Sequence, residues 1–579
     1  MRLFTLILLV FATCSESKQA SRAVPEAFTG LNYQKASYGV QGMVTAANPH
    51  AVNAGVKMIE MGGNAVDAAV AIQLVLTLVE PQSSGIGGGA FMLWYDTQTG
   101  SITSYDGRET APLNATPELF LDESGKPARW IDAVIGGRSV GTPGVLKMLW
   151  FAHQQHGKLP WKKLFSPAIK LAQNGFVVSP RLAKLVAMKF NPGIAMLPAA
   201  KRYFFPNGKA LQEGQTLKNV EFAETLKRIS EQGVEAFYQG ETAANIVDAV
   251  QNAAIAPGVL SLNDLKSYQP KQRDVGCLDY LAETGKYKIC SMGPPSSGGY
   301  TVLQLLKILE PYELTKHPID SIETVHMYTQ AAKLAFADRD KYLADSDFVE
   351  VPSLRQYIEP NYINSRRTII SKTNDLGKAI AGNVITNTQA QNVSVEQPNT
   401  SHISIVDKQG NAVSMTTSIE MGFGSAVMVD GFLLNNQLTD FSLVPSKNGK
   451  LIANRVQAGK RPRSSMTPVM VFKDDELFAV LGSPGGSRII NYVGYALIGL
   501  LDYGMDMKQV ADMPRISNRN GATGLEKNTS LEKLKPQLER LGHKVRMTDM
   551  TSGIHGVLKT DKGWQGAADP RREGTAVGL

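Results

Sequence analysis

Three stretches of this chain hold residue types that can break a bond at a carbonyl group. The first centres on Thr400, which follows a polar run, Ala381 to Pro398, and precedes an alternating one, HISIVD. Ala381 to Pro398 has neither a helical nor a strand period and reads as an exposed loop. His402 to Asp407, a Lys408 to Asn411 turn and Ala412 to Ile419 read as a β-hairpin. A threonine hydroxyl is a weak nucleophile at neutral pH. Once the peptide bond before it is broken, its own α-amine, with a pKa of about 8, can act as its base. A loop running straight into a core strand is the layout such self-processing needs, and it is equally the layout of any threonine that starts a strand.

The second stretch is Asp106-Gly-Arg-Glu-Thr-Ala-Pro112. Arg108, just past a strand end and before a proline-containing turn, suits a forked pair with a carboxylate. It also suits a surface salt bridge, and its neighbour Glu109 reads as a surface charge. In the third stretch, Leu477 to Ile489 (LFAVLGSPGGSRI), a strand, a tight glycine turn and a helix follow one another. That geometry aims free backbone N–H groups around Gly485 and Gly486 at one point, where the helix start favours negative charge. The point is either an oxyanion hole or an ordinary strand-to-helix turn.

The elements that must position these residues are legible in outline. Asn48-Pro49 starts a helix that stops at Gly62-Gly63, and Asn64 with Asp67 caps a second helix, Ala65 to Leu78, apolar on nearly every face. Pro81 ends it. Ser83-Ser-Gly-Ile-Gly-Gly-Gly89 then leads into strands from Ala90 to Tyr95 and on to Asp106. The glycines follow a helix and open a strand, the reverse of a dinucleotide-binding turn, and GxxxxGK[ST] is absent. From Pro117 to about Glu350 the spacing is mainly helical, in Arg181 to Phe190, Thr242 to Val250, Thr301 to Leu309 and Thr324 to Leu343. The loop Gly293-Pro-Pro-Ser-Ser-Gly-Gly299 is rigid and either structural or pocket-shaping.

The length of 579 residues allows about three or four ordinary domains, or one or two large α/β units. A formal charge of +8, spread along the chain, argues against a nucleic-acid partner. The longest basic cluster, Lys460-Arg-Pro-Arg463, reads as a solvated loop or as a source of positive potential for one small anionic group. The chain begins with one arginine and about ten apolar residues, too few to span a bilayer, so residues 1–23 read as an export signal. Cleavage near Ala20 or Ala23 competes with a lipoprotein-type cut at Cys14. The remaining cysteines, Cys277 and Cys290, flank a hairpin and form either a disulfide or two buried thiols. Their spacing matches no zinc motif, and the eight histidines form no HxxxH or HxH pair, so no metal is expected.

Seven segments in order resemble the γ-glutamyltranspeptidase family of N-terminal-nucleophile hydrolases. They are GGNAVDAA (62–69), GGGAFML (87–93), DGRETAP (106–112), TSHISIVD (400–407), NNQLTDF (435–441), RPRSSM (461–466) and GSPGGSRII (482–490). The resemblance implies an α+β fold, a four-layer αββα sandwich with two stacked antiparallel-rich sheets between helical layers. It implies cleavage between Asn399 and Thr400, giving a large subunit (24–399) and a small one (400–579) that stay together as a heterodimer, with no cofactor. Thr400 would then attack the γ-carbonyl of a donor such as glutathione, oriented by Ser418, with Gly485 and Gly486 as oxyanion donors. Water, an amino acid or a peptide would be the acceptor. Arg108, Ser464 and Ser465 match the set for the donor's carboxylate, and Glu420, Gln437 and Asp440 the set for its ammonium, so loss of Arg108 should weaken donor binding far more than loss of Glu109.

Three departures from the family pattern bear on this. Ser418 replaces a common threonine and keeps the hydroxyl. Glu420 stands where several members have asparagine, which makes the ammonium pocket more acidic. Ser442 to Arg463, similar to a loop that covers the site in some members, has no aromatic residue to close it. The competing readings are a glutaryl (cephalosporin side-chain) acylase and an inactive exported binding protein.

Overall fold

The computed structural model describes residues 27–386, 390, 392 and 399–579. The expected export signal with Cys14, and most of the polar run before Asn399, lie outside the described residues. Fourteen strands build two seven-stranded sheets. In chain order they are β1 (Ser37–Gly39), β2 (Met43–Ala46), β3 (Gly89–Asp96), β4 (Ser101–Gly107), β5 (Lys271–Arg273), β6 (Val275–Ala282) and β7 (Gly285–Met292), followed by β8 (Ser401–Val406), β9 (Ala412–Ser418), β10 (Val469–Lys473), β11 (Glu476–Gly482), β12 (His555–Thr560), β13 (Gly563–Ala568) and β14 (Thr575–Gly578). One sheet runs β14-β2-β8-β9-β3-β4-β5 and the other β1-β13-β12-β11-β10-β7-β6. Neighbouring strands within both sheets are antiparallel.

Helices α1 (Pro49–Glu60) and α2 (Ala65–Val79) cover the outer face of the first sheet; α3 (Val145–His156) packs against α2 and β4. Helices α4 (Gly298–Leu309), α5 (Ile322–Tyr342) and α6 (Ile489–Leu501) form the opposite outer layer. The order of layers is helix, sheet, sheet, helix. Every residue of α2 is buried, and Asn64 caps it by accepting from Val66 N and Asp67 N while Asp67 accepts from Asn64 N. Such all-round burial suits a helix sandwiched between layers.

The hairpin β8–β9 lies at the centre of the first sheet, and period-two alternation splits its side chains between two environments. Ile403, Ile405, Val413 and Met415 join the core beneath α2, whereas Val406 and Ala412 meet Met470 and Val480 of the other sheet. Asp407 closes the turn, accepting from Gln409 N and Asn411 N, and its second oxygen accepts from Ala65 N at 3.1 Å, which ties the hairpin to the start of α2.

Cys277 and Cys290 face each other across β6 and β7 and are joined by a disulfide. The basic cluster at 460–463 is not a solvated loop: Lys460, Arg461 and Arg463 are all buried. The Lys460 ammonium donates to Ala453 O and Gln457 Oε1, and Arg461 pairs with Asp106 at 3.3 Å. Four consecutive residues gave no sign of these partners, which come from distant segments.

A buried histidine pair links α5 to the C-terminal part of the chain. Thr523 donates to His543 Nδ1, His543 Nε2 donates to His326 Nδ1 at 2.7 Å, and His326 Nε2 donates to Ser371 O. This run of single donors and acceptors needs both rings neutral. Burial holds both below the usual histidine range. The unfolded chain binds those protons near pH 6.5, so the pair's contribution to stability is complete above that pH and is lost on acidification through the lower folded values. Thermal melting is expected to fall between pH 7 and pH 5, and to fall less steeply in His543→Gln; equal slopes would remove the pair from the acid response.

Candidate active site

The register of the central hairpin places the site. Ser401 pairs with Thr417 and His402 with Thr416, so the residue before the strand, Thr400, lies opposite Ser418. By parity both belong with His402, Ser404, Ser414 and Thr416 on the face that looks toward the second sheet. That face is polar yet satisfied. His402 Nδ1 accepts from Thr416 Oγ1 at 2.9 Å, its Nε2 donates to Ser404 Oγ at 3.0 Å, and Ser404 donates to His555 O. Burial, and then the nearby His555, keep His402 well below its ordinary pKa, so the ring is neutral. Gly482 on β11 has no side chain because a Cβ there would fall 2.3 Å from the imidazole.

Thr400 Oγ1 donates to Ser418 Oγ at 3.3 Å, Glu420 N donates to the same oxygen at 2.9 Å, and Ser418 donates to Asn399 O at 2.8 Å. The serine hydroxyl thus uses its single proton and accepts two bonds, its full capacity. Glu420 turns back onto it through a left-handed backbone (φ 76°), a conformation that costs a non-glycine residue of order 1 kcal/mol. The glycine run before β3 has its reason here as well. A Cβ on Gly88 would lie 2.2 Å from Ser418 O, and one on Gly87 2.2 Å from Leu433 O.

Beside Thr400 is a small pocket lined by Arg108, Thr400, Ser418, Glu420, Gln437, Asp440, Ser464, Ser465, Met466, Gly486 and Ile489. All six residues expected to bind a donor, and three of the four expected to catalyse, are therefore together. Gly485 is the exception and sits one residue behind Gly486. Both glycines are left-handed (φ 136° and 56°), and a Cβ on Gly485 would meet the Tyr492 ring at 2.6 Å. Asn399 is fully buried at the pocket's edge.

Arg108 follows directly on β4 and is fully buried. Its guanidinium contacts Asp440 Oδ2 at 2.5 Å and donates to Pro462 O and Arg463 O. Gln437 Nε2 also donates to Asp440 Oδ2, at 3.0 Å. Ser464 and Ser465 are braced by the Gly293–Gly299 loop and α5: Ser297 donates twice to Ser464 O, Ser464 N donates to Pro295 O, and Arg339 donates to Ser465 Oγ at 2.7 Å. That loop therefore shapes the pocket from behind.

A family model for "Gamma-glutamyltranspeptidase" matches residues 51–579. The chain belongs to the γ-glutamyltranspeptidase family. A glutathione hydrolase proenzyme of Bacillus subtilis strain 168 is 38% identical over 560 residues, covering 94% of this chain and 93% of that one. One from Escherichia coli K12 is 35% identical, covering 92% and 90%. Among solved structures, a cephalosporin acylase from Bacillus halodurans superposes with a TM-score of 0.83 at 26% identity over 96% of this chain and 99% of that one. The four-layer sandwich is the N-terminal-nucleophile hydrolase fold of these γ-glutamyltranspeptidase relatives.

Sequence reasoning missed the residues that hold this transpeptidase-family site open. Asn435 donates to Gly87 O and Gly141 O, and Asn436 accepts from Met421 N, which fixes the loops carrying Glu420, Gln437 and Asp440. The doubled asparagine within NNQLTDF was the available signal. Glu109 also needs correcting. It is completely buried, not a surface charge, and its carboxyl oxygens accept no hydrogen bond from any described residue. Its single contact with Arg108 is 3.6 Å long. Burial outweighs that contact and pushes the carboxyl up to about 8, so Glu109 is largely neutral at pH 7.

An acid raised in the fold above its unfolded value of about 4.3 weakens the fold progressively as pH rises between the two values. Glu109→Gln, which removes the titrating group, should therefore melt higher than the parent, with a gap that widens from pH 5 to pH 8. A gap independent of pH would show Glu109 ionised in the fold.

Proposed function

We propose that the protein is a self-cleaving γ-glutamyl hydrolase and transpeptidase, acting on glutathione and related γ-glutamyl amides and passing the γ-glutamyl group to water, an amino acid or a peptide. The observation that carries this reading is the buried Arg108–Asp440 ion pair in the pocket beside Thr400. An α-amino acid end carries one carboxylate and one ammonium. It can replace an internal ion pair charge for charge, its carboxylate taking Arg108 with Ser464 and Ser465, its ammonium taking Asp440 with Gln437 and Glu420. No unpaired charge is left buried in the exchange.

The arrangement around Asn399 supports a route for self-cleavage. Thr400 Oγ1 attacks the Asn399 carbonyl carbon, its proton moving to Ser418 while Ser418 passes its own to the carbonyl oxygen. The carbon–nitrogen bond then breaks as the carbonyl re-forms, the proton on its oxygen passing to the nitrogen, which becomes the α-amine of Thr400, and Asn399 is held as an ester. Water hydrolyses the ester to the Asn399 carboxylate and the free hydroxyl. In turnover the new α-amine accepts the hydroxyl proton, the oxygen attacks the donor's γ-carbonyl, and the proton passes to the leaving amine. Backbone N–H groups at Gly485 and Gly486, with the start of α6, stabilise the oxyanion. The two parts remain associated after the cut. An apolar N-terminal run and a disulfide fit an exported protein, and among the described residues no helix is long and apolar enough to cross a membrane.

A second reading, an acylase for glutaryl side chains, has the structural likeness to a cephalosporin acylase in its favour. A glutaryl group lacks the ammonium that Asp440, Gln437 and Glu420 would bind. A charged hydrogen-bonded pair contributes about 1.5–3 kcal/mol, so kcat/KM for γ-glutamyl-p-nitroanilide should exceed that for the glutaryl analogue by about tenfold to a hundredfold. Faster glutaryl turnover would favour the acylase.

Purified protein should run as two bands on a denaturing gel, the smaller beginning Thr-Ser-His-Ile. Thr400→Ala should remain a single inactive chain. A Thr400→Ala chain that is cut normally would sink the assigned nucleophile.

A further inference from the structure

The described residues hold a second buried carboxyl group near the scissile bond, and the self-cleavage outlined above does not use it. Glu80 directly follows α2 as its C-terminal cap and is 1% exposed. Its Oε2 accepts from Gln82 Nε2 at 2.8 Å and from Ser83 Oγ at 3.1 Å, while its Oε1 accepts no hydrogen bond from any described residue. The same Ser83 hydroxyl is 3.5 Å from Asn399 Oδ1, within donating reach. On its other side the Asn399 amide is confined, since a Cβ on Gly422 would lie 2.7 Å from Asn399 Nδ2. Asn399 therefore has a serine hydroxyl at each of its carbonyl oxygens, Ser418 bonded to the main-chain one and Ser83 within reach of the side-chain one.

Resting on the proposed cut between Asn399 and Thr400, we infer that Glu80 is a positioning residue for that cut, acting through Ser83 on the side chain of Asn399. Ser83 has one proton and two acceptors competing for it. An ionised Glu80 takes the proton, because a bond to a carboxylate is about twice as strong as one to a neutral oxygen. The Asn399 side chain then loses the Ser83 bond. A neutral Glu80 is the weaker acceptor and leaves the hydroxyl free to turn to Asn399. The groups that face Glu80 are Arg181 at the start of its helix and Arg572 and Glu573 from the C-terminal segment. Burial raises the Glu80 carboxyl to about 7, with Arg181 and Arg572 opposing the rise and Glu573 adding to it. Its ionisation therefore falls in the neutral range, and the Ser83 bond to the scissile residue is present on the acid side and absent on the alkaline side.

This gives self-cleavage a pH dependence opposite in sign to that of a nucleophile waiting for its base, which speeds up as pH rises. The test is a pulse of labelled full-length chain made by cell-free synthesis, chased in buffers from pH 6 to pH 8.5, with the uncut fraction read on a denaturing gel. The parent chain should cleave about fivefold to tenfold more slowly at pH 8.5 than at pH 6, the worth of one hydrogen bond. Glu80→Gln, which cannot ionise, should show a flat profile. Ser83→Ala, a smaller change that leaves Glu80 in place, should cleave slowly at every pH, also with a flat profile. A parent rate that rises steadily to pH 8.5, a Glu80→Gln profile that matches the parent, or a Ser83→Ala chain with the parent's rate and profile would overturn the inference. If Glu80→Gln does not fold, Ser83→Ala decides. N-terminal sequencing of the small product keeps the two ideas apart: a parent chain that is not cut before Thr400 defeats the self-cleavage reading itself, whereas a correct cut with unaltered variants defeats only the role of Glu80.

Discussion

The pairing of Ser401 with Thr417 is the constraint on which the rest of the site depends. A slip of one residue would turn every side chain of the hairpin to the opposite face. Thr400 and Ser418 would move from the face between the sheets to the core beneath α2, and Ile403 and Ile405 would take the place of the His402 network. Both faces oppose the slip. One is packed with aliphatic residues against a fully buried helix. The other carries hydroxyls and a ring whose hydrogen bonds close only in this register. Buried polar groups left unpaired cost about 1–3 kcal/mol each, so the polar seam fixes the position of the hairpin as firmly as the apolar core does.

The pocket adds an electrostatic condition. Arg108 is buried against Asp440, with Glu109 in contact and largely uncharged, so the arginine's charge is already met by Asp440 without a ligand. The segment 460–463 delivers Ser464 and Ser465 to that floor only because its own cations are neutralised or capped. Arg461 meets Asp106, the Arg461 amide donates to Asp345, and the Lys460 ammonium is held by Ala453 O and Gln457, with burial bringing its pKa down to about 7.

How far the sequence speaks depends on how local the physics is. The hairpin at Thr400, the Asn64 cap of α2, the strands that follow Gly87–Gly89 and the glycine turn before α6 rest on short-range propensity, capping and turn chemistry, and they lie where the pattern puts them. The grouping of Arg108, Asp440, Ser464 and Gly486 with Thr400 was legible only through the resemblance to a family, because no local pattern brings five distant segments together. Burial of charge was not legible at all. Glu109 and Lys460–Arg463 look like surface residues because their partners, from Asp106 to Asp440, are supplied by tertiary contacts. The choice between a disulfide and two thiols at Cys277 and Cys290 needed the strand pairing itself.

The strand order has a consequence for the two pieces that a break before Thr400 would leave. In the first sheet, β14, β8 and β9 come from after the break and β2, β3, β4 and β5 from before it; in the second, β10 to β13 come from after it and β1, β6 and β7 from before it. Neither piece owns a whole sheet, and each alone would present unpaired strand edges of the kind that aggregate. Folding would therefore have to precede such a cut, while loop closure still brings the strands together within one chain. Afterwards the pieces would be in one-to-one ratio by birth and could not swap partners without dismantling both sheets. The cut protein would persist because separation is slow rather than because reassembly is easy, and its making runs in one direction.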